Sequence, residues 1–161
     1  VDGVAVNRDP VIDAILRFAE HDLICYRADH PLELAKSQRQ AWSPWLDWAA
    51  QAHGARLAVG AGLSHIPQSS DALAALRRAV GQKDDFAMAA LHVMASITGS
   101  LVLGLALAED RLDAEQAFQL SRIDEDYQAQ KWGRDAEAEA RAKSLARELE
   151  MAAAFLAASR G

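Results

Sequence analysis

Five histidines are the side chains in this sequence best suited to bind a metal or transfer a proton. They are His21, His30, His53, His65 and His92. No two are three or four positions apart, and none completes the Glu-x-x-His pair that builds metal sites in helical bundles. His92, inside a long apolar segment, is the only candidate ligand, and a hydrogen-bonded core histidine is the favoured interpretation. The sequence therefore predicts no metal site.

Cys25 is the single thiol, and His21 lies four positions before it. A catalytic cysteine needs an activating base and an electropositive setting, whereas Cys25 lies in the apolar run LICY at 23–26. A buried, unreactive cysteine is therefore predicted. The glycines at 60 and 62 lack the remainder of a nucleotide-binding fingerprint. With no catalytic group assigned, the chain is predicted not to be an enzyme and to carry no cofactor.

An acidic triplet is the most distinctive group of charges. Its residues are Asp124, Glu125 and Asp126. On a helix, Arg122 lies three and four positions from the last two and can pair with either. The charge pattern alone favours a solvated, self-paired helix face, because exposed ion pairs contribute little to stability. The aromatic side chains of Phe118 and Trp132 on either side favour a protein-recognition surface instead.

Composition indicates which elements must position these groups. The chain has 161 residues, of which 51% are hydrophobic, 25% charged and only 6% aromatic, with abundant Ala and Leu. This bias favours helices over sheets in one soluble domain. The formal net charge is -6 and no basic stripe is present, so nucleic acid is not an expected partner.

Capping signals and apolar periodicity predict a mainly α-helical fold of about six helices around a central apolar helix. At most one short strand or hairpin is expected, with 56–59 as the only plausible strand and 60–68 as a loop. Ser43 and Pro44 either open a new helix or kink a continuous one. The predicted helices are 9–20, 29–54 with that uncertain point at 43–44, 70–81, 85–108, 113–133 and 135–158.

The segment 86–108 has no charged residue and is long enough to cross a bilayer. However, the segment contains serines, a threonine and a histidine, has acidic flanks and lacks an aromatic belt. These features favour a buried core helix, so no membrane insertion is expected. Small residues recur every four positions and are predicted to face a closely packed helix. They are Ser96, Ser100, Gly104 and Ala108.

Three tryptophans, Trp42, Trp45 and Trp48, recur every three residues. Core packing is the favoured interpretation, and an exposed binding edge is the alternative. The same residues support a different class of function, in which a helical domain binds a small molecule, or acts as an enzyme, in a pocket near His92 and the tryptophans.

Three ordered stretches carry a family resemblance. They are DLICYR at 22–27, QRQAWSPWLDW at 38–48 followed by Gly54, and LSRIDEDYQ at 120–128 continuing to Lys131, Trp132 and Gly133. The chain resembles the C-terminal helical domain of the ATP synthase α-subunit assembly chaperone, a family of mitochondria and alphaproteobacteria. It departs from the pattern at 134–140, where a Trp and a His-Asp pair are missing.

The resemblance implies a chaperone without catalysis that binds the unassembled α subunit, shields the surface that later meets β, and assists assembly of the catalytic head. It places the family's important acidic position within the triplet, with Glu125 as the main candidate. The implied partner-binding residues are Glu125, Asp124, Asp126, Arg122, Trp132, Phe118 and Glu137.

The resemblance also implies a domain organisation. The family's N-terminal β-rich domain is absent from 1–161, which is expected to be a single helical domain and a monomer. The chain starts with VDGVAV, without Met and without the features of a signal peptide. Its Ala- and Arg-rich composition indicates a bacterial member in the cytoplasm, the mitochondrial matrix being the expectation for a eukaryotic one.

Overall fold

A computed structural model describes residues 7–160. The opening VDGVAV, on which the signal-peptide prediction rests, lies outside these residues. Within them, eight α-helices, one 3₁₀ turn and two very short strands form in the following order. They are α1 Asp9–Glu20, the 3₁₀ turn Leu23–Cys25, β1 Tyr26–Arg27, α2 Leu32–His53, β2 Gly60–Ala61, α3 Ser70–Gly81, α4 Asp85–Thr98, α5 Leu101–Ala108, α6 Ala114–Ser121, α7 Ile123–Trp132 and α8 Ala136–Ser159.

The core forms around α4 and α5, and every residue of α5 is buried. The sequence LVLGLALA has no polar side chain, so it is stable only where other helices surround it. The helices α1, α2, α6 and α8 pack around this pair. Leu149 and Leu156 supply the buried stripe of α8. The mainly helical fold around an apolar centre is therefore confirmed, with eight helices instead of about six.

The predicted continuous helix at 85–108 is wrong, because it breaks between Thr98 and Leu101. Gly99 adopts a left-handed conformation with φ 72°, and the Ser100 hydroxyl accepts a hydrogen bond from the N–H of Leu103 to start α5. The predicted row of small residues is broken with it, and Ser96 is exposed. None of the helices within 7–160 combines the length and apolarity that crossing a bilayer requires.

Gly104 nevertheless lies at a close helix contact. A Cβ atom added to it would lie 3.1 Å from Cδ1 of Leu91 and 3.5 Å from Cα of Ala95. The close approach is therefore between α5 and the preceding α4. A larger side chain at this position would overpack the core.

A buried carboxylate anchors the connector between α1 and α2. Asp22, with no exposed surface, accepts hydrogen bonds from the N–H of Ile24 and the N–H of Val102 at 3.2 and 3.1 Å. It thereby caps both the 3₁₀ turn and the N-terminus of α5, where a negative charge is favourable. This fixes β1 immediately after it.

The predicted strand at 56–59 is wrong. Instead β1 and β2 pair in parallel, with Tyr26 opposite Gly60 and Arg27 opposite Ala61. The Tyr26 hydroxyl also accepts a hydrogen bond from the N–H of Ile66 at 3.1 Å, which holds the following loop against β1. Two residues per strand leave no alternating pattern from which a strand can be predicted.

The helix α2 runs without interruption through Pro44 to His53, and Gly54, which has φ 71°, caps its end. Trp42 is buried, and its indole N–H donates to the carbonyl of Leu120 at 2.8 Å. Trp45 and Trp48 are half-buried at the edge of the core. Core packing is therefore confirmed for the first tryptophan and is partial for the other two.

The predicted helix at 113–133 is also wrong as a continuous element. Asp113 and Gln116 form a capping box at its start. The break comes at Arg122, with φ -112° and ψ 15°. The Ser121 hydroxyl donates to the carbonyl of Phe118 at 2.7 Å and so competes with the helix for that acceptor. The acidic triplet therefore lies in the first turn of a separate helix, α7.

Candidate functional site

The helix α7 lies on the surface and contains no buried residue. Its sequence, IDEDYQAQKW, offers few apolar side chains. Leu120, Ile123 and Tyr127 are half-buried on the inner side, and Leu120 belongs to α6. All three acidic residues and most of the second half of α7 face solvent. Such a helix adds little to the core and presents most of its surface to a partner.

Polar contacts join α7 to the start of α2. The Tyr127 hydroxyl donates to the Glu33 carboxylate at 2.5 Å, and the Lys131 ammonium lies 3.5 Å from the same carboxylate. The hydrogen bond from Tyr127, assisted by the Lys131 charge, lowers the pKa of Glu33, and the same bond raises the pKa of Tyr127. Sequence reasoning missed Glu33 as part of this surface, because 94 positions separate it from Tyr127.

Each acidic residue of the triplet has a polar neighbour. Glu125 lies 3.5 Å from Arg122, as the helical spacing predicted. Asp126 lies 2.7 Å from Arg134, in the turn before α8. The Gln128 amide donates to Asp124 at 3.5 Å. These pairs are solvent-exposed and individually weak, so their partners can be exchanged at small cost.

The two predicted aromatic borders differ. Trp132, at the end of α7, is 82% exposed. Phe118 is half-buried against the core, and the Arg122 guanidinium lies 5.7 Å from the centre of its ring. Glu137 lies in the first turn of α8 and pairs with Arg141 at 3.8 Å, so it joins a different helix from the triplet. The structure thus brings together Arg122, Phe118 and Glu125, and places Trp132 at the opposite end of α7.

Two open clefts flank α7. The first, of about 570 Å³, separates α7 from α2. It is lined by Leu34, Ser37, Gln40, Ala41, Ile123, Asp126, Tyr127 and Gln130. The second, of about 540 Å³, includes Asp124 on its wall and reaches β1 and the loop after β2. Together they give the acidic helix a recess on each side.

The alternative function requires one pocket near His92 and the tryptophans, and the described residues do not bring these side chains into one cleft. His92 is half-buried and packs edge-on against Phe18, with ring centres 5.7 Å apart. Trp45 lines one cleft and Trp42 another, and His92 lines neither. Within residues 7–160, no three His, Cys, Asp or Glu side chains come together as a metal site would require.

Cys25 is fully buried, as predicted. Burial, together with the nearby Asp22 carboxylate, raises the pKa of its thiol to about 12. The thiolate is the nucleophilic form, so this cysteine is poorly suited to catalysis.

An apolar groove of about 460 Å³ lies between α4 and α8, apart from α7. The rings of Phe86 and Phe155 meet there, with centres 6.0 Å apart. Phe86, Val93, Met151 and Phe155 are all at least 42% exposed. No periodicity argument revealed this groove, because its two walls come from distant helices.

Comparison with known proteins gives consistent results. A family model described as ATP12 chaperone protein matches residues 1–50. The crystal structure of Atp12 from Paracoccus denitrificans is 41% identical, matches with a TM-score of 0.90, and covers 96% of this chain and 66% of that one. An Asp-to-Lys mutant of P. denitrificans Atp12p gives 40% identity, a TM-score of 0.89, and coverage of 92% and 63%.

A third similar structure is that of a candidate chaperone from Agrobacterium tumefaciens. It is 40% identical with a TM-score of 0.88, and the match covers 99% of this chain and 60% of that one. The chain thus spans less than two thirds of the length of each of the three matched proteins, at 66%, 63% and 60%.

Proposed function

This chain belongs to the ATP12 chaperone family, and from that premise we propose that it acts in ATP synthase assembly by binding the unassembled α subunit. In this role it holds the α subunit, its client, until the catalytic head forms, and it performs no chemistry of its own. It acts as a monomer where the α subunit is made, which in a bacterium is the cytoplasm.

The exposure of α7 is the observation that carries this proposal. The helix buries none of its residues, yet it displays Trp132, the acidic triplet and a cleft on each side. Tryptophan and paired charges around a recess are typical of surfaces where a few residues supply most of the binding energy. An enzyme would instead need convergent polar groups in an enclosed pocket.

The ion pairs of α7 support binding to a partner with basic groups. Glu125 and Asp126 are held by arginines in exposed pairs, so a client Lys or Arg can replace those arginines with little loss. Of the two, Glu125 has the longer and weaker internal pair, at 3.5 Å against 2.7 Å. This supports Glu125 as the principal contact, with Asp124, Asp126 and Arg122 beside it and Trp132 at the other end of α7.

Binding of purified ATP synthase α subunit to the immobilised chain tests the proposal. Glu125→Lys should weaken binding about tenfold or more, because it places a positive charge opposite the basic group of the client. Its melting temperature should stay close to that of the parent, since the side chain is exposed.

A matched charge reversal, Glu150→Lys, provides the control. Glu150 is also exposed but lies in the second half of α8. Glu33 is unsuitable as a control because it contacts Tyr127 and Lys131 of α7. Equal binding by both variants and the parent would show that the acidic helix is only a solvated face, and no binding by the parent would overturn the chaperone assignment.

A further inference from the structure

A cleft of about 540 Å³ beside α7 contains an arginine that has no acidic partner among residues 7–160. The cleft lies between β1, the loop after β2, the middle of α2 and the start of α7. Most of its surface is apolar. Its lining comprises Leu23, Tyr26, Arg27, Ala28, Asp29, His30, Gln38, Trp42, Gly62, Leu63 and Asp124.

Arg27 is held in the cleft wall by one side of its guanidinium. Nε donates to the carbonyl of Ile24 at 2.9 Å, and the group lies 5.7 Å from the centre of the Trp42 ring. Nη1 reaches the Ser43 hydroxyl only at 3.4 Å. Nη2 is buried and has no hydrogen-bond partner among the described residues. Within residues 7–160, the Nη1–Nη2 edge therefore lacks a strong acceptor.

An unpaired buried donor is costly, and most such groups in folded proteins have a partner. The charges near Arg27 do not supply one. No carboxylate in 7–160 lies within ion-pair distance of Arg27, and Asp29 and Asp124 are exposed on the cleft wall. Arg39 is a second positive charge nearby. Apart from the Ile24 bond, the described residues hold the guanidinium only through the long Ser43 contact and the Trp42 ring.

The surrounding residues restrict what can bind. A carboxylate matches the two-donor edge of a guanidinium in a bidentate pair. Tyr26 and the fully exposed Leu63 offer apolar contact in the same cleft. The exposed carboxylates of Asp29 and Asp124 would oppose a doubly charged phosphate more strongly than a single carboxylate.

We propose that this cleft binds a carboxylate on an apolar peptide segment, with the Nη1–Nη2 edge of Arg27 turning toward the cleft to donate to it and Tyr26 and Leu63 packing against the neighbouring side chain. That the peptide belongs to the α subunit rests on the function proposed above. The carboxylate is either an acidic side chain or a chain terminus. The cleft adjoins Asp124, so it extends the α7 surface to an acidic and apolar part of the client.

Short peptides test the chemistry without the client. Titration calorimetry on the full chain compares acetyl-Leu-Phe-Glu-amide with its Gln isostere, and acetyl-Leu-Phe free acid represents a chain terminus. The Glu peptide should bind at least about tenfold more tightly than the Gln peptide. Tighter binding of the free acid than of the Glu peptide would assign the site to a terminus. Equal binding of the Glu and Gln peptides and the free acid would overturn the proposal.

Variants locate the effect at the cleft. Arg27→Gln should abolish the Glu-over-Gln preference, whereas Arg39→Gln, with the same change in charge, should retain it. Because Arg27 packs on Trp42, its variant could lose stability, so Leu63→Ser at the fully exposed rim is measured too. This variant should weaken the Glu peptide about fivefold with an unchanged melting temperature. An unchanged preference in Arg27→Gln, or unchanged affinity in Leu63→Ser, would contradict the assignment.

The two proposals fail in different ways. If the parent binds the Glu peptide selectively but does not capture the α subunit, the cleft is correct and the client assignment is wrong. If it captures the α subunit but shows no charge preference for peptides, the chaperone proposal stands and the cleft proposal is wrong.

Discussion

Asp22 shows how a single residue can have a role that its sequence context hides. In the sequence it appears only as the first residue of the family stretch at 22–27. In the structure it is buried and accepts backbone hydrogen bonds from two elements. Nothing in local spacing reveals this, because Val102 lies 80 positions away. The cleft around Arg27 depends on it, since Asp22 fixes the turn from which β1 leaves.

Asp22 should make stability depend on pH. Burial raises the pKa of this carboxyl from 3.8 to about 6, although hydrogen bonds from Ser100 and backbone N–H groups oppose the rise. The folded state therefore binds the proton more tightly than the unfolded state. This stabilisation is complete below pH 3.8 and is lost as pH rises through 6. As pH rises from below 3.8 to above 6, the loss of this contribution alone should lower the unfolding free energy by about 3 kcal/mol.

Urea unfolding at several pH values between 4 and 6.5 measures this contribution. In Asp22→Asn the group cannot titrate, so the difference in unfolding free energy between parent and variant should change across this range. Asp47→Asn, at an exposed position of α2, should track the parent. A constant difference between the parent and Asp22→Asn would show that the carboxyl is ionised throughout.

Cys25 is a residue for which sequence reasoning was sufficient, since its apolar neighbours predicted burial. With its thiol buried and its pKa raised to about 12, the native protein should react with a thiol reagent such as Ellman's only as fast as it unfolds. In denaturant, one thiol per chain should react at once. Complete reaction of the native protein at the denatured rate would contradict the buried position.

At the scale of elements, helix ends were predicted better than helix breaks. The capping box at Asp113 and Gln116 and the terminal glycines Gly54 and Gly133 lie where local rules place them. The breaks at 98–101 and at Arg122 were missed, because apolar residues continue across both and outweigh a single Gly or Ser in a pattern. The pairing of β1 with β2 was also missed, since each strand has only two residues.

Gly99 tests the origin of the break between α4 and α5. Its φ of 72° is accessible to glycine but costs other residues about 1–2 kcal/mol. Gly99→Ala should lower the unfolding free energy by that amount, chiefly through backbone strain, because the nearest side-chain atom would be 3.7 Å from the new Cβ. Urea denaturation provides the measurement.

Gly81→Ala is the matched control. Gly81 ends α3 with open space around its Cβ position and no positive φ. Alanine should be neutral there or stabilise by up to about 1 kcal/mol, because it restricts the unfolded chain. If both variants changed stability equally, the left-handed conformation of Gly99 would not be the reason that the central helix breaks.

At the scale of the whole molecule, two different surfaces lie on different helices. One is α7 with its flanking clefts, where charges and Trp132 combine. The other is the apolar groove between α4 and α8. The sequence indicated the first surface, because its residues are contiguous. The groove and the Arg27 cleft arise only when distant segments pack together, so a linear pattern could not place them.

These surfaces make opposite predictions for capture of the α subunit. If α7 carries the interaction, Trp132→Ser should weaken capture by about 30-fold, the effect of losing an interface tryptophan, with an unchanged melting temperature because the side chain is 82% exposed. Phe155→Ser, which removes a half-exposed aromatic side chain from the groove, should change capture less than about twofold.

The reverse result, with loss of capture only in Phe155→Ser, would move the client to the groove between α4 and α8. Phe155 contacts Phe86 and therefore also affects packing, so its melting temperature must be measured beside its binding. A second groove variant, Met151→Ser, covers the case in which Phe155→Ser is unstable, since Met151 is 70% exposed. Weakened capture in Trp132→Ser with normal capture in Met151→Ser would place the client on α7. Both variants remove an exposed apolar side chain, but only Trp132→Ser removes it from the acidic helix.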